Sequence, residues 1–157
     1  MDVSMNYQNE IETILNRNRF SRRFYVRFSL ACARYVEAYD TTNRAKECND
    51  VVHRWINGKA TIQEVNAASA AYASTAMTAA SASASYASAS ASYAAYAASA
   101  AHSASASAAY AASASAAYAA SATATAYAED RNKYSKKYYD ILIEMIANLT
   151  ELQREFL

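Results

Sequence analysis

The chain has no proline, one glycine at position 58, two cysteines, two histidines and one tryptophan among 157 residues. Hairpin turns rely on Gly and Pro punctuation, so a chain without breakers does not supply the turns of an all-β fold. One glycine also excludes a Gly-rich phosphate loop. His53 and His102 stand in no spacing that serves a metal or a catalytic triad. Ser is so frequent that no single hydroxyl stands out as a nucleophile. These absences argue against an enzyme and call for no cofactor. The opening MDVSMNYQNE has neither a basic start nor an apolar run, so no signal peptide is read there. No window is apolar enough to span a bilayer. A cytoplasmic protein is therefore expected, with Cys32 and Cys48 as reduced core thiols and a disulfide or metal pair as the alternative.

Charge is absent from the middle of the chain. Residues 1–64 hold 10 basic and 8 acidic side chains, residues 129–157 hold 5 and 6, and residues 65–128 hold none. The middle consists of 34 Ala, 15 Ser, 7 Tyr and 4 Thr with Val65, Asn66, Met77 and His102. Ser-Ala alternation over 81–93 imitates a strand period, but Ala is a poor strand former and the best helix former. On a helix, Ser81, Ser85, Ser88, Ser92, Ser99, Ser103 and Ser107 form one row, and Tyr72, Tyr86 and Tyr93 share a heptad position. One helix of 64 residues would run roughly 96 Å. The segment is expected to fold back near 81–85 and 101–103, with Ser as cap. An uncharged surface of this size also points to self-association.

Both flanks read as helices. Phe20, Phe24, Phe28, Ala31 and Tyr35 mark one apolar face. Thr42 is a candidate N-cap for a helix that points Val51, Val52, Trp55 and Ile56 inward and stops at Asn57-Gly58. Thr61 and Glu64 form a capping box. Tyr138, Leu142, Met145, Leu149, Leu152 and Phe156 follow a heptad seam for a partner helix in the same or another chain. The expectation is an all-α single domain over 1–157: a compact Ala-rich multi-helix bundle with an amphipathic C-terminal helix. Charged helices occupy 1–60, uncharged Ala/Ser/Tyr helices 61–128 and the heptad helix 129–157.

The stretch 30–76 resembles a family of small Ala-rich helical immunity proteins associated with bacterial toxin systems. The shared features are Cys32-Ala33 before a helix ending at Glu37, Arg44, the Trp55-x-x-Gly58 turn, Thr61-x-x-Glu64 and Ala67-Ala68. In the Ala-rich half, Ser and Tyr stand where the family carries charge and His. The resemblance implies a helical fold and a role in conflict systems.

Six arginines and no acid lie between Arg17 and Arg34. Arg19, Arg23, Arg27 and Arg34 share a helical face. They suit either a solvated face paired with acids such as Glu37, Glu47 or Glu144, or an anion site with Tyr25 and Tyr35 stacking nearby. Net charge is only +1, a small footprint for duplex nucleic acid. Tyr110 and Tyr118 fill gaps or line a pocket, and His102 is a hydrogen-bonder in the Ala-rich zone. The leading expectation is a non-catalytic, homo-oligomeric protein of immunity or counter-immunity type that sequesters a small anionic, nucleotide-like ligand. Its candidate residues are Arg19, Arg23, Arg27, Tyr25, Tyr35, Tyr110, Tyr118 and His102. Alternatives are an immunity protein that blocks a protein toxin and an ice-binding or structural Ala-rich bundle. Thr75, Thr78, Thr123 and Thr125 are too few and irregular for an ice-matching row.

Overall fold

The computed structural model describes residues 5–76, 81–103 and 107–149, without the side chains of 71–76. Its elements are α1 (Tyr7–Arg17), α2 (Arg22–Arg34), a 3-10 turn (Glu37–Tyr39), α3 (Arg44–Ile56), α4 (Ile62–Ala76), α5 (Ala82–His102), α6 (Ala108–Tyr127) and α7 (Arg131–Ala147). No strand occurs among the described residues. The all-α bundle is therefore as expected, and the uncharged segment is divided among α4, α5 and α6, with Ser81 and Ser103 flanking α5 as caps and residues 82–85 inside it.

Local chemistry sets most boundaries. The Ser21 and Ser81 side chains accept from the Phe24 and Ala84 N–H groups and start α2 and α5. Thr61 and Glu64 make both bonds of the capping box at α4. Gly58, at φ +72°, ends α3 with the paired bonds Gly58 N–H to Trp55 and Lys59 N–H to Arg54. At the start of α3, Asp40 shares the work expected of Thr42 alone. One Asp40 oxygen accepts from the Thr42 N–H and hydroxyl at 3.0 and 2.6 Å, and the other takes the Ala45 N–H at 2.9 Å. A carboxylate reaches more orphan amides than a hydroxyl, so the buried Asp40 carries most of this start while the Thr42 hydroxyl accepts from the Arg44 N–H at 3.4 Å.

Helices α5 and α6 form the centre of the bundle and run antiparallel, since Ser83 meets Ala122 while Ser90 meets Ser115. Charged helices wrap them, with α2 and α3 against α5, and α1, α2 and α7 against α6. Helix α2 is buried on two sides. Phe24, Phe28 and Cys32 join Ile11, Leu15, Ala116, Tyr138 and Leu142, whereas Val26 and Leu30 join Val52, Val65, Ala91 and Ala98. The expected face is thus corrected at its C-terminal end. Phe20 precedes the helix, and the seam continues through Cys32 and Val36 while Tyr35 stays outside.

Where α2, α5 and α6 cross, the residues are small enough for backbones to touch. The Ser115 hydroxyl lies 3.0 Å from the Ser29 carbonyl and 2.9 Å from that of Ser90, and Ser90 donates back to the Ser115 carbonyl at 2.9 Å. The buried serines of the hairpin are Ser88, Ser90, Ser113 and Ser115, of which the row read from the sequence contained only Ser88. Tyr138 and Leu142 are buried and Met145 and Leu149 pack against the same core, so the described part of the heptad seam is internal. Leu152 and Phe156 lie outside the described residues, as do Thr78 and the side chains of Tyr72 and Thr75.

Candidate functional site

Helices α1, α5 and α6 enclose a cleft of about 600 Å³, and Arg131 at the start of α7 reaches into it. One wall is a stripe of α6: Tyr110, Ser113, Ala114, Ala117, Tyr118 and Ser121 recur at steps of three and four. Alanines on this stripe leave room beside the rings, which is what opens the cleft. Tyr86 and Tyr93 of α5 complete the aromatic wall. The Tyr93 and Tyr118 rings are stacked at 5.4 Å with a 12° interplanar angle, Tyr110 meets Tyr93 edge-on at 6.2 Å, and Tyr86 lies 6.0 Å from Tyr118. Burial, reinforced by the Tyr110 hydroxyl, raises the Tyr93 phenol above its ordinary range.

The opposite wall is polar and belongs to α1. Gln8, Glu12 and Asn16 follow one another at i, i+4 and i+8 on one face. Gln8 is buried. Its Nε2 donates to the Ser113 carbonyl and hydroxyl, both at 3.1 Å, and approaches Glu12 Oε1 at 3.4 Å. Its Oε1 has no partner among the described residues. Asn132 fixes this wall against α7: Tyr7 N–H donates to its Oδ1 at 3.0 Å and its Nδ2 donates to the Met5 carbonyl at 2.8 Å. The clamp joins the N-terminal ends of α1 and α7 and so sets the polar ladder beside Arg131. Glu12 and Arg131 line the same cleft, yet neither has an ion-pair partner among the described residues.

No family model matches this chain, and no curated protein or solved structure does. Function must therefore be argued from the site.

Of the residues expected to bind ligand, the structure brings only Tyr110 and Tyr118 into this cleft. The others are dispersed. Arg19 lies in the loop before α2, while Arg23 donates to the Ile56 carbonyl at 3.0 Å and closes the end of α3. Arg27 lines a separate shallow groove of about 310 Å³ between α2 and α3, over Leu30, Ala31 and Ile56. Arg34, on the same groove, pairs with Glu37 at 3.1 Å and Asp50 at 2.7 Å. Burial opposes the charge on Asp50, but Arg34 and Lys46 outweigh it and hold that carboxyl below its usual range. For Arg34 the solvated-pair reading fits the geometry.

Tyr25 is a latch. Its hydroxyl accepts from the Phe20 N–H at 3.4 Å and faces the Leu15 and Asn18 carbonyls at 3.1 and 3.0 Å, joining the end of α1 to α2. Tyr35 is exposed beneath Lys137, whose Nζ sits 3.8 Å from the ring centroid. His102 is exposed in the last turn of α5, outside this cleft. Sequence reasoning missed Gln8, Glu12, Asn16, Tyr86, Tyr93 and Arg131. The i, i+4, i+8 polar row on α1 was the available signal, but only topology sets it opposite the tyrosines. Among the described residues no cluster of His, Cys, Asp or Glu could hold a metal, and no helix is long and apolar enough to cross a membrane.

Proposed function

We propose that the chain is a non-catalytic binding protein that sequesters a small, planar, anionic ligand of nucleotide type in the tyrosine cleft. The observation that carries this reading is four tyrosine rings, two of them stacked, sharing one cleft with the unpaired Arg131. Ligand pockets typically span roughly 300–1,000 Å³, so the cleft volume suits a nucleoside phosphate. Aromatic rings hold a base by stacking, worth about 1–3 kcal/mol per base on alanine substitution, and a guanidinium holds phosphate. The resemblance of residues 30–76 adds an immunity or counter-immunity setting, where lowering the free concentration of a signal is itself an effect.

Calorimetry of the full chain against linear and cyclic nucleotides tests the reading. Binding is expected, and Tyr118→Ala should weaken it by roughly 5- to 150-fold. No binding by any nucleotide overturns it. A second reading, docking of an acidic protein such as a toxin, is favoured by the arginines at and along α2 that pair with no described acid. Among the described residues, Arg19, Arg22 and Arg27 have no carboxylate within 4.0 Å. A stable complex with a toxin encoded nearby, weakened by salt, would support that role; its absence would remove it.

A further inference from the structure

We infer that the cleft selects guanine over adenine, with Glu12 and Asn16 reading the base edge while Arg131 holds the phosphate. The inference rests on the nucleotide reading above and adds the identity of the base. Guanine presents, along one edge, a carbonyl acceptor followed by two adjacent N–H donors. The polar wall of α1 carries the complement: Asn16 supplies an amide N–H for the carbonyl, and the Glu12 carboxylate accepts from the two donors.

Residues 12 and 16 lie one turn apart, about 6 Å along the axis, on the face turned to the tyrosines. Gln8 touches only Glu12 Oε1, at 3.4 Å, and no residue pairs with Oε2 in an ion pair. The carboxylate therefore retains lone pairs for a ligand. Adenine offers a ring-nitrogen lone pair where guanine offers a donor, so it would set acceptor against carboxylate. An unpaired acceptor facing a charge is the costly arrangement. The clamp through Asn132 puts Arg131 at the N-terminal end of the same ladder. Base edge and phosphate are thus read at different points along α1, and ribose covers the span between them.

The test is calorimetry of the full chain with guanosine, inosine and adenosine monophosphates, repeated on Glu12→Gln and Tyr118→Ala. A bidentate base contact discriminates by about 1–3 kcal/mol, so the guanine nucleotide should bind roughly 5- to 150-fold tighter than the adenine nucleotide. Inosine monophosphate, which lacks the exocyclic amine, should fall between them. Glu12→Gln should bring the guanine-to-adenine ratio to near one. Glu12 is exposed, so this variant keeps its fold. Tyr118→Ala should weaken all three nucleotides and leave their ratio unchanged. Equal binding of the guanine and adenine nucleotides by the native chain overturns the guanine assignment and spares the cleft. No binding of any of the three, with none from the wider nucleotide panel, overturns the cleft reading as well.

Discussion

Ala128 sits at φ +53°, a left-handed conformation that costs a residue with a Cβ roughly 1–2 kcal/mol. It closes α6 as Gly58 closes α3. Glu129 N–H bonds the Ala124 carbonyl at 2.9 Å, and Ala128 N–H reaches that of Thr125 at 3.4 Å. Two helices thus end in the same motif, one on the residue built for it and one on a residue that is not. The substitutions should have opposite signs. Ala128→Gly relieves the strain, loses part of the gain to the freer unfolded chain, and should stabilise by about 0.5–1 kcal/mol. Gly58→Ala meets no atom within 4 Å, so its cost is conformational alone and should be about 1 kcal/mol. Urea unfolding followed by circular dichroism checks both. At this scale the sequence is legible where side-chain chemistry is specific to a conformation. Gly58, Thr61 and Glu64 could be read directly, whereas nothing about Ala128 announces a left-handed turn. Asp40 was hidden for another reason: its capping bond to Ala45 spans five residues, beyond the usual three-residue signature.

Helices α5 and α6 are held together by the shortness of their side chains. Ala112, Ala116, Ala119 and Ala120 are buried completely, and the Ser90–Ser115 exchange demands close backbones. Added volume at such a contact has nowhere to go. Ala116→Leu should therefore destabilise by about 1–3 kcal/mol or more through overpacking. Ala126→Leu, on the exposed last turn of the same helix, should change stability by less than about 0.5 kcal/mol. Thermal unfolding of the two variants separates a packing role for Ala from mere helix propensity, which would make both equally mild. The element types were legible because Ala-rich sequence without Pro has few other choices. Which face of α5 and α6 turns inward was not: a period of Ala and Ser carries almost no amphipathic contrast. That ambiguity hid half of the cleft. Tyr86 and Tyr93 were read as members of a heptad position, but their meeting with Tyr118 depends on how far α6 slides along α5, which the Ser90–Ser115 contact sets.

Across the whole molecule, the uncharged helices α5 and α6 sit in the centre, with the charged helices and the half-exposed α4 outside, so much of the Ala surface of α5 and α6 is covered within a single chain. The same arrangement places neutral acids in the core and makes stability lopsided in pH. Burial raises both Cys32 and Tyr138 well above their ordinary ranges, with Cys32 adding to the shift of Tyr138 as a potential like charge. Cys48, whose thiol points at the Ala91 carbonyl at 3.6 Å, is pushed up to about 12 by burial. Each group is harder to ionise when folded than when unfolded. Its contribution is therefore complete below the unfolded value, about 8.5 for Cys and about 10 for Tyr, and is lost as pH rises toward the folded value. The loss is about 1.4 kcal/mol per pH unit per group within that window. Three such groups lose their contributions in overlapping windows, so the alkaline fall in stability is steeper than any one of them would give. On the acid side, Asp50 is held below its usual range by Arg34 and Lys46, and it lies in a half-exposed network where screening limits its effect. Urea midpoints should consequently be level between pH 6 and about 8, then fall steeply above about pH 9.5. Cys48→Ala isolates one contribution, because it removes a titrating group while leaving a small apolar residue in its place. Its alkaline slope should be shallower by about 1.4 kcal/mol per pH unit between about pH 9 and pH 12, with no comparable change of slope near neutrality. A slope identical to that of the native chain would show that the thiol is open to solvent, and that the α3–α5 contact around it is looser than the structure has it.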